Sequence, residues 1–223
     1  MSVFDLPFLP AKRIVDLSLP ISADTATYPG DPRPRIEVLS TIDKGGANTT
    51  RILLSAHAAT HVDVPYHLLE SGKTVDELPL EAFCGSAQTY DLTHKALGSR
   101  ICPDDLESGN PLRECEIALF YTRSNDPMMN GSARRCFTCF ETALADWLIE
   151  KRVKAVGIDS MSVDLLDSSE NEVHKKLLQN EIVIFENLSN NLRLLVGKPA
   201  IFFGMPLRLE RAEASPVRAF ALL

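Results

Sequence analysis

The sequence contains no run approaching the roughly 18 uncharged apolar residues that span a bilayer, and its start, MSVFDLPFLPAKRIVDLSLP, lacks a basic stretch leading into an apolar one. Membrane insertion and secretion are therefore not expected, and a cytoplasmic location is. Positive charge is in deficit: 23 Lys and Arg stand against 30 Asp and Glu, a net charge of −7. Such a field repels phosphate backbones and anionic headgroups, so neither nucleic acid nor a membrane surface is an expected partner. Cysteine is scarce and odd in number. Cys84, Cys102, Cys115, Cys136 and Cys139 are irregularly spaced, which reads as reduced thiols and not as a disulfide framework. Cys136 and Cys139 form a lone CxxC, without the second pair of a zinc ribbon or the βαβ setting of a thioredoxin-type site. No internal repeat, low-complexity tract or Gly/Ser linker divides the chain.

What is present is a globular composition, 45% apolar and 24% charged, with 14 Pro and 11 Gly spread along the chain. One domain over residues 1–223 is expected, and at this length it can bury about 70% of its unfolded surface. The first part is strand-rich. Residues 13–19 read as a short strand, Tyr28-Pro29-Gly30-Asp31-Pro32 as a dense turn, and 36–41 with 49–55 as a hairpin pair. The period then changes. A capping box at 138–141 predicts a helix to about residue 151, with Phe140, Leu144, Trp147 and Leu148 on one face, and 153–159 is a buried strand. A second box at 169–172 opens a helix through Leu178, followed by a strand over 181–186, and 201–205 looks like a further strand. Two αβ steps after a strand-rich half predict an α/β or β/β/α architecture.

The chemistry concentrates in residues 55–67, where His57, His61 and His67 accompany Asp63. Pro65 biases Val64 away from helix, and in an extended chain these four side chains share one face by period two; a turn could draw the outer members together. Imidazoles and a carboxylate form the N/O set that suits Zn²⁺, Mn²⁺ or Fe²⁺. A lone loop histidine reads as an ordinary hydrogen-bonded polar residue. Three with an aspartate at even spacing read as a metal site. His174 falls on the inward face of its helix, three and four residues before Leu177 and Leu178. Glu186 ends an apolar run, where a carboxylate must find a cation or a proton. A helix, turn and returning strand could bring these two together as a second ligand pair.

These residues resemble the cyclase family of metal-dependent hydrolases, which includes bacterial kynurenine formamidase and isatin hydrolase. The family motif H-x-G-T-H-x-D-x-P-x-H is matched from His57 to His67 with Ala59 as the one departure. Val15-Asp16-Leu17-Ser18, Tyr28 to Asp31, Gly157 to Asp164, His174 to Leu188 and Ser215 to Ala219 resemble its other blocks, so the likeness covers nearly the whole chain. The resemblance implies a swivelling β/β/α domain, an α/β fold with a mixed sheet and packed helices, usually a homodimer or a higher homo-oligomer. It implies that His57, His61 and Asp63 bind one divalent metal and Asp63, His174 and Glu186 a second, zinc or manganese, with Asp63 and Glu186 able to bridge. His67 matches the general acid/base, and Tyr28 stands where an aromatic residue, commonly Trp, meets the substrate ring. The implied reaction is hydrolysis of a small non-peptide amide, an aryl formamide such as N-formylkynurenine or a cyclic amide of the isatin type. The rivals are an inactive metal-binding relative, which would not need His67, and a thiol hydrolase using Cys84 or Cys139. Ala59 is strained by roughly 1 kcal/mol if its position requires φ > 0. Blander readings attach to His94, to Asp159 and Ser160 at a strand end, and to Arg218.

Overall fold

A computed structural model describes residues 13–107, 116–126, 136–166 and 168–223. Strand β1 (Ile14–Asp16) leads to a hairpin, β2 (Arg35–Ser40) and β3 (Thr49–Leu53), with a helical turn α1 (Ile42–Gly45) at its tip. Next come β4 (His61–Asp63), the long β5 (Cys84–Asp91), β6 (Arg100–Ile101), a short α2 (Asp104–Glu107) and β7 (Ile117–Tyr121). The helical steps follow: β8 (Cys139–Phe140), α3 (Thr142–Glu150), β9 (Ala155–Ile158), α4 (Glu172–Gln179) and β10 (Val183–Glu186). The chain closes with β11 (Ala200–Phe203), β12 (Ala214–Pro216) and β13 (Phe220–Leu222).

Nine strands form one mixed sheet in the order β1-β13-β11-β5-β7-β9-β10-β4-β12. Its centre, β5-β7-β9-β10, is parallel, and both flanks are antiparallel. Strands buried on both faces carry continuous apolar runs, as Ile117–Tyr121 and Ala155–Ile158 do. Alternate residues serve opposite faces. Leu119 and Phe185 join a cluster with Val62, Leu188 and Phe202, while Phe120 and Ile184 join one with Leu144, Leu148, Leu177 and Leu178 from α3 and α4. The α/β expectation with a mixed sheet and packed helices holds.

Local expectations fare unevenly. The hairpin forms with the expected pairing, but as a separate two-stranded ribbon exposed on every residue but Ser40. The 138–141 capping box is not used. Cys139 and Phe140 are drawn into β8 beside β6, so α3 starts at Thr142 without a side-chain cap. The box at 169–172 also fails: α4 begins at Glu172 after Asn171 in the left-handed region at φ 46°. Among the described residues, no helix is long and apolar enough to cross a membrane. Cys115 and the residues before Arg13 lie outside the described ones.

Candidate metal centre

The site is built where the antiparallel flank meets the parallel centre. β4 pairs with β10 so that His61 lies opposite Glu186 and Asp63 opposite Ile184, and β12 closes the other edge with Ala214 opposite Asp63. Only His61 and Asp63 follow the period-two expectation, because only that stretch is a strand. His57 is brought back by a turn, with the Ala58 amide donating to Ser55 O at 3.1 Å. His67 sits at the end of a single 3₁₀ turn, Pro65–His67. Gly72 lies so close beneath that turn that a Cβ would stand 2.4 Å from the Pro65 carbonyl carbon, so a larger residue could not fit without a shift of the backbone there.

Ala59 adopts φ 56°, a left-handed geometry that a glycine would adopt at less cost. Its carbonyl accepts the Nδ1–H of His61 at 2.9 Å. That fixes the tautomer and leaves His61 Nε2 facing Asp63 Oδ1 at 3.4 Å and Glu186 Oε2 at 3.6 Å. His174 Nε2 lies 3.6 Å from Asp63 Oδ2 and 3.2 Å from Glu186 Oε1. His57 Nδ1 is 2.8 Å from Asp63 Oδ1, and the His67 ring centroid is 4.4 Å from that of His57. All six side chains expected from the sequence therefore meet in one place.

The donor set fits a cation. Both oxygens of Asp63 are buried without a well-directed hydrogen bond among the described residues, despite the close imidazole nitrogens. A buried carboxylate needs positive charge beside it, from protonated imidazoles or from a cation. Most of the nitrogen-to-oxygen separations, 3.2 to 3.6 Å, exceed the 2.7 to 2.9 Å of a charge-assisted hydrogen bond. They match the spacing of about 3.4 Å between ligand atoms that share a tetrahedral ion at about 2.0 to 2.1 Å. Two groups of donors each lie within 4.8 Å of one another: His61 with Asp63 and Glu186, and His57 with Asp63 and His67. The second places His67 as near to Asp63 as an expected ligand.

Without an ion these groups charge one another. Burial opposes protonation of His61, but Asp63 and Glu186 outweigh it and push the imidazole up to about 9. Burial likewise opposes protonation of His57 and His174; Asp63 nonetheless raises the first, and Asp164, Asp63 and Glu186 raise the second well above the ordinary imidazole range. Burial works against the charge on Asp63 too, yet His61, His174 and His57 hold its carboxyl well below the usual range. A cation must displace the protons on these imidazoles. Zinc or manganese uptake is therefore expected to release protons at pH 7, and affinity should rise with pH toward 9 by about tenfold per unit for each proton released. Calorimetric titrations in two buffers of different ionisation enthalpy count those protons, and uptake without release contradicts the scheme.

The centre forms one wall of a cavity of about 380 Å³, also lined by Tyr28, Asp31, Ser55, Met161, Asn187 and Glu213. The Tyr28 hydroxyl donates to Leu166 O at 2.9 Å, which anchors the ring in the wall. Glu213 Oε1 lies 3.5 Å from His57 Nε2. The sequence offered no sign of Glu213, because only the β4–β12 pairing brings it there. The remaining candidates fall elsewhere. His94 is exposed. Asp159 is a buried staple that accepts from the Thr122 amide and hydroxyl and the Arg123 amide, with its pKa raised by burial to about 6. Arg218 makes a two-pronged surface pair with Asp16 at 2.9 and 2.6 Å. Burial raises the Cys84 thiol and pushes Cys139 up to about 11, which suits neither as a nucleophile.

Comparison with known proteins finds relatives that span most of the chain. The family model described as "Putative cyclase" matches residues 15–165. Kynurenine formamidase of Bacillus cytotoxicus is 32% identical over 210 residues, 94% of this chain and 97% of that one. An uncharacterized protein of Methanocaldococcus jannaschii is 36% identical over 197 residues, 88% and 92% of the two chains. Isatin hydrolase A from Labrenzia aggregata shares the fold, with a TM-score of 0.85, 23% identity and coverage of 95% and 93%. A structure described as a potential metal-dependent hydrolase with cyclase activity superposes with a TM-score of 0.77 at 26% identity, covering 94% and 96%. The chain belongs to the cyclase family and is a metal-dependent amidohydrolase.

Proposed function

We propose that the protein hydrolyses the C–N bond of a small non-peptide amide, an aryl formamide such as N-formylkynurenine, with a cyclic amide of the isatin type as the second candidate. One observation carries this reading: His57, His61, Asp63, His67, His174 and Glu186 converge on a single cavity whose wall includes Tyr28. At about 380 Å³ the cavity is at the small end of ligand sites, suited to one ring and a short side chain. The formamide reading draws on the kynurenine formamidase relatives, and the cyclic-amide reading on the isatin hydrolase fold.

His57, His61 and Asp63 would hold one divalent ion, zinc or manganese, and Asp63, His174 and Glu186 a second, with Asp63 and Glu186 able to bridge. Such an ion acidifies water from a pKa of about 15.7 toward about 7 and polarises an amide carbonyl. His67 does the proton work. Burial and the neighbouring His57 and His174 lower its pKa despite Asp63 and Glu186, so it stands neutral at pH 7 and can accept a proton. It takes the proton of the attacking water and returns it to the leaving nitrogen as the C–N bond breaks, giving formate and a free amine. Tyr28 would stack on the substrate ring. A ligand-keeping but inactive relative would have no use for His67. The deciding experiment is an activity screen of zinc- and manganese-loaded protein, before and after prolonged chelation. N-formylkynurenine turnover that chelation abolishes supports the reading, isatin turnover alone moves it to cyclic amides, and activity that survives complete metal removal refutes it.

We also propose a homodimer built on the β2–β3 ribbon. Ile36, Val38 and Ile52 share one face of the ribbon and are each 46% exposed or more, and an isolated two-stranded ribbon is marginal in water. A second copy would cover these side chains. Sedimentation should give twice the 24.6 kDa chain mass, and Val38→Lys with Ile52→Lys should give the monomer; a monomeric wild type refutes the assignment.

A further inference from the structure

Helix α4 begins without a cap of its own, since Asn171 gives its first turn no side-chain hydrogen bond. The free amides go upstream to Asp164. Val173 N–H donates to Asp164 Oδ1 at 3.2 Å and His174 N–H to Oδ2 at 3.0 Å. The same Oδ2 lies 2.7 Å from His174 Nδ1, and because an ionised carboxylate only accepts, that nitrogen carries the proton. The backbone and the ring of His174 are thus gripped by one buried side chain. The grip leaves Nε2 as the free nitrogen, facing Glu186 and Asp63. One residue earlier, the Val163 amide donates to Glu186 Oε1 at 2.9 Å, so the same turn also steers the carboxylate that faces His174 Nε2.

We propose that Asp164 is a positioning residue of the metal centre, acting through His174 by holding its ring with Nδ1 protonated and Nε2 open to the ion. This rests on the two-ligand-segment reading above. Partners of this kind, on the far nitrogen of a metal-binding histidine, raise its basicity and typically change metal affinity 10- to 100-fold when removed. The rival account is that Asp164 merely caps α4. The two are separable through His174, because capping of the helix amides does not depend on the ring, whereas positioning disappears when the ring is removed.

The test is Asp164→Asn, titrated with zinc alone against a competing chelator and compared with wild type in its metal-free thermal midpoint. The midpoint should fall by roughly 2 to 4 °C, since the amide keeps only one of the two acceptors used by the Val173 and His174 amides, while zinc affinity falls about 10- to 100-fold. In the zinc-loaded, nitrogen-15-labelled protein the His174 Nδ1–H resonance should move upfield as its hydrogen bond weakens. In a His174→Ala background the same Asp164→Asn change should have little further effect on affinity, because the two act as one unit. Unchanged affinity and an unchanged ring signal overturn the proposal, as does an equal loss of affinity with and without His174. Wild-type protein that binds no zinc refutes the metal reading instead. If Asp164→Asn does not fold, Asp164→Glu, which displaces the charge by one methylene, enters the same comparisons with the same outcomes.

Discussion

Asp63→Asn is expected to remove most of the bound metal and lower turnover by on the order of 10³-fold or more, several kcal/mol of lost charge stabilisation. Asp63 is the hub of the cluster: His57 and His61 approach one of its oxygens and His174 the other. An amide keeps the shape but offers one acceptor, and its NH₂ group would meet either His174 or the pair on the opposite side. It also removes one of the two carboxylates that hold His61 up to about 9, so that imidazole should titrate closer to its ordinary value in the variant. Loss of a peripheral donor is milder in kind. His57→Ala leaves Asp63, His61, His174 and Glu186 facing one another, and one ion should remain. Metal per chain by elemental analysis, with circular dichroism to confirm folding, distinguishes the two variants. Wild-type metal content in Asp63→Asn would show that Asp63 is not a shared ligand.

The ligand types were legible because they cluster in eleven residues with a spacing few other uses explain. Their geometry was not. The period-two face inferred for His57 to His67 assumes an extended chain, yet only His61–Asp63 is a strand, and Ala59 at φ 56° together with the Pro65–His67 turn makes the convergence. His174 and Glu186 were found as an inward histidine and a strand-end carboxylate. Their meeting with the first segment depends on β10 lying antiparallel to β4, a long-range pairing that no local pattern encodes. The capping boxes misled for a related reason. Asp164 supplies the acceptors for α4 from outside the helix, so the local Ser169 signal had nothing left to do. Glu213 and the strand over Ala214–Pro216 escaped notice because a three-residue strand has too few positions to show a period. In the second half, the apolar runs of β9 and β10 were readable, since strands covered on both faces cannot hide their composition.

His67→Ala should lower turnover by roughly 10²- to 10⁴-fold, the usual contribution of a general acid/base, with metal content and thermal midpoint close to wild type. The argument starts from protonation. In the metal-free centre His57, His61 and His174 are all raised by carboxylate partners, whereas His67 moves the other way, because its burial outweighs the pull of Asp63 and Glu186 and its imidazole neighbours repel a further proton. In that state it is the one of these four histidines held toward the neutral form. The wild-type rate should fall as pH drops below the ordinary imidazole value of about 6.5, where His67 gains its proton, and that acidic limb should vanish or move in the variant. A small exogenous base such as imidazole, able to enter the space left by the ring, should restore part of the rate. The competing role is specific, because His67 also lies within 4.8 Å of donor atoms on His57 and Asp63, near enough to ligate. A ligand and a proton carrier respond differently: if His67→Ala loses one metal per chain along with its activity, His67 is a ligand, and if it keeps both, the proton path runs through another group.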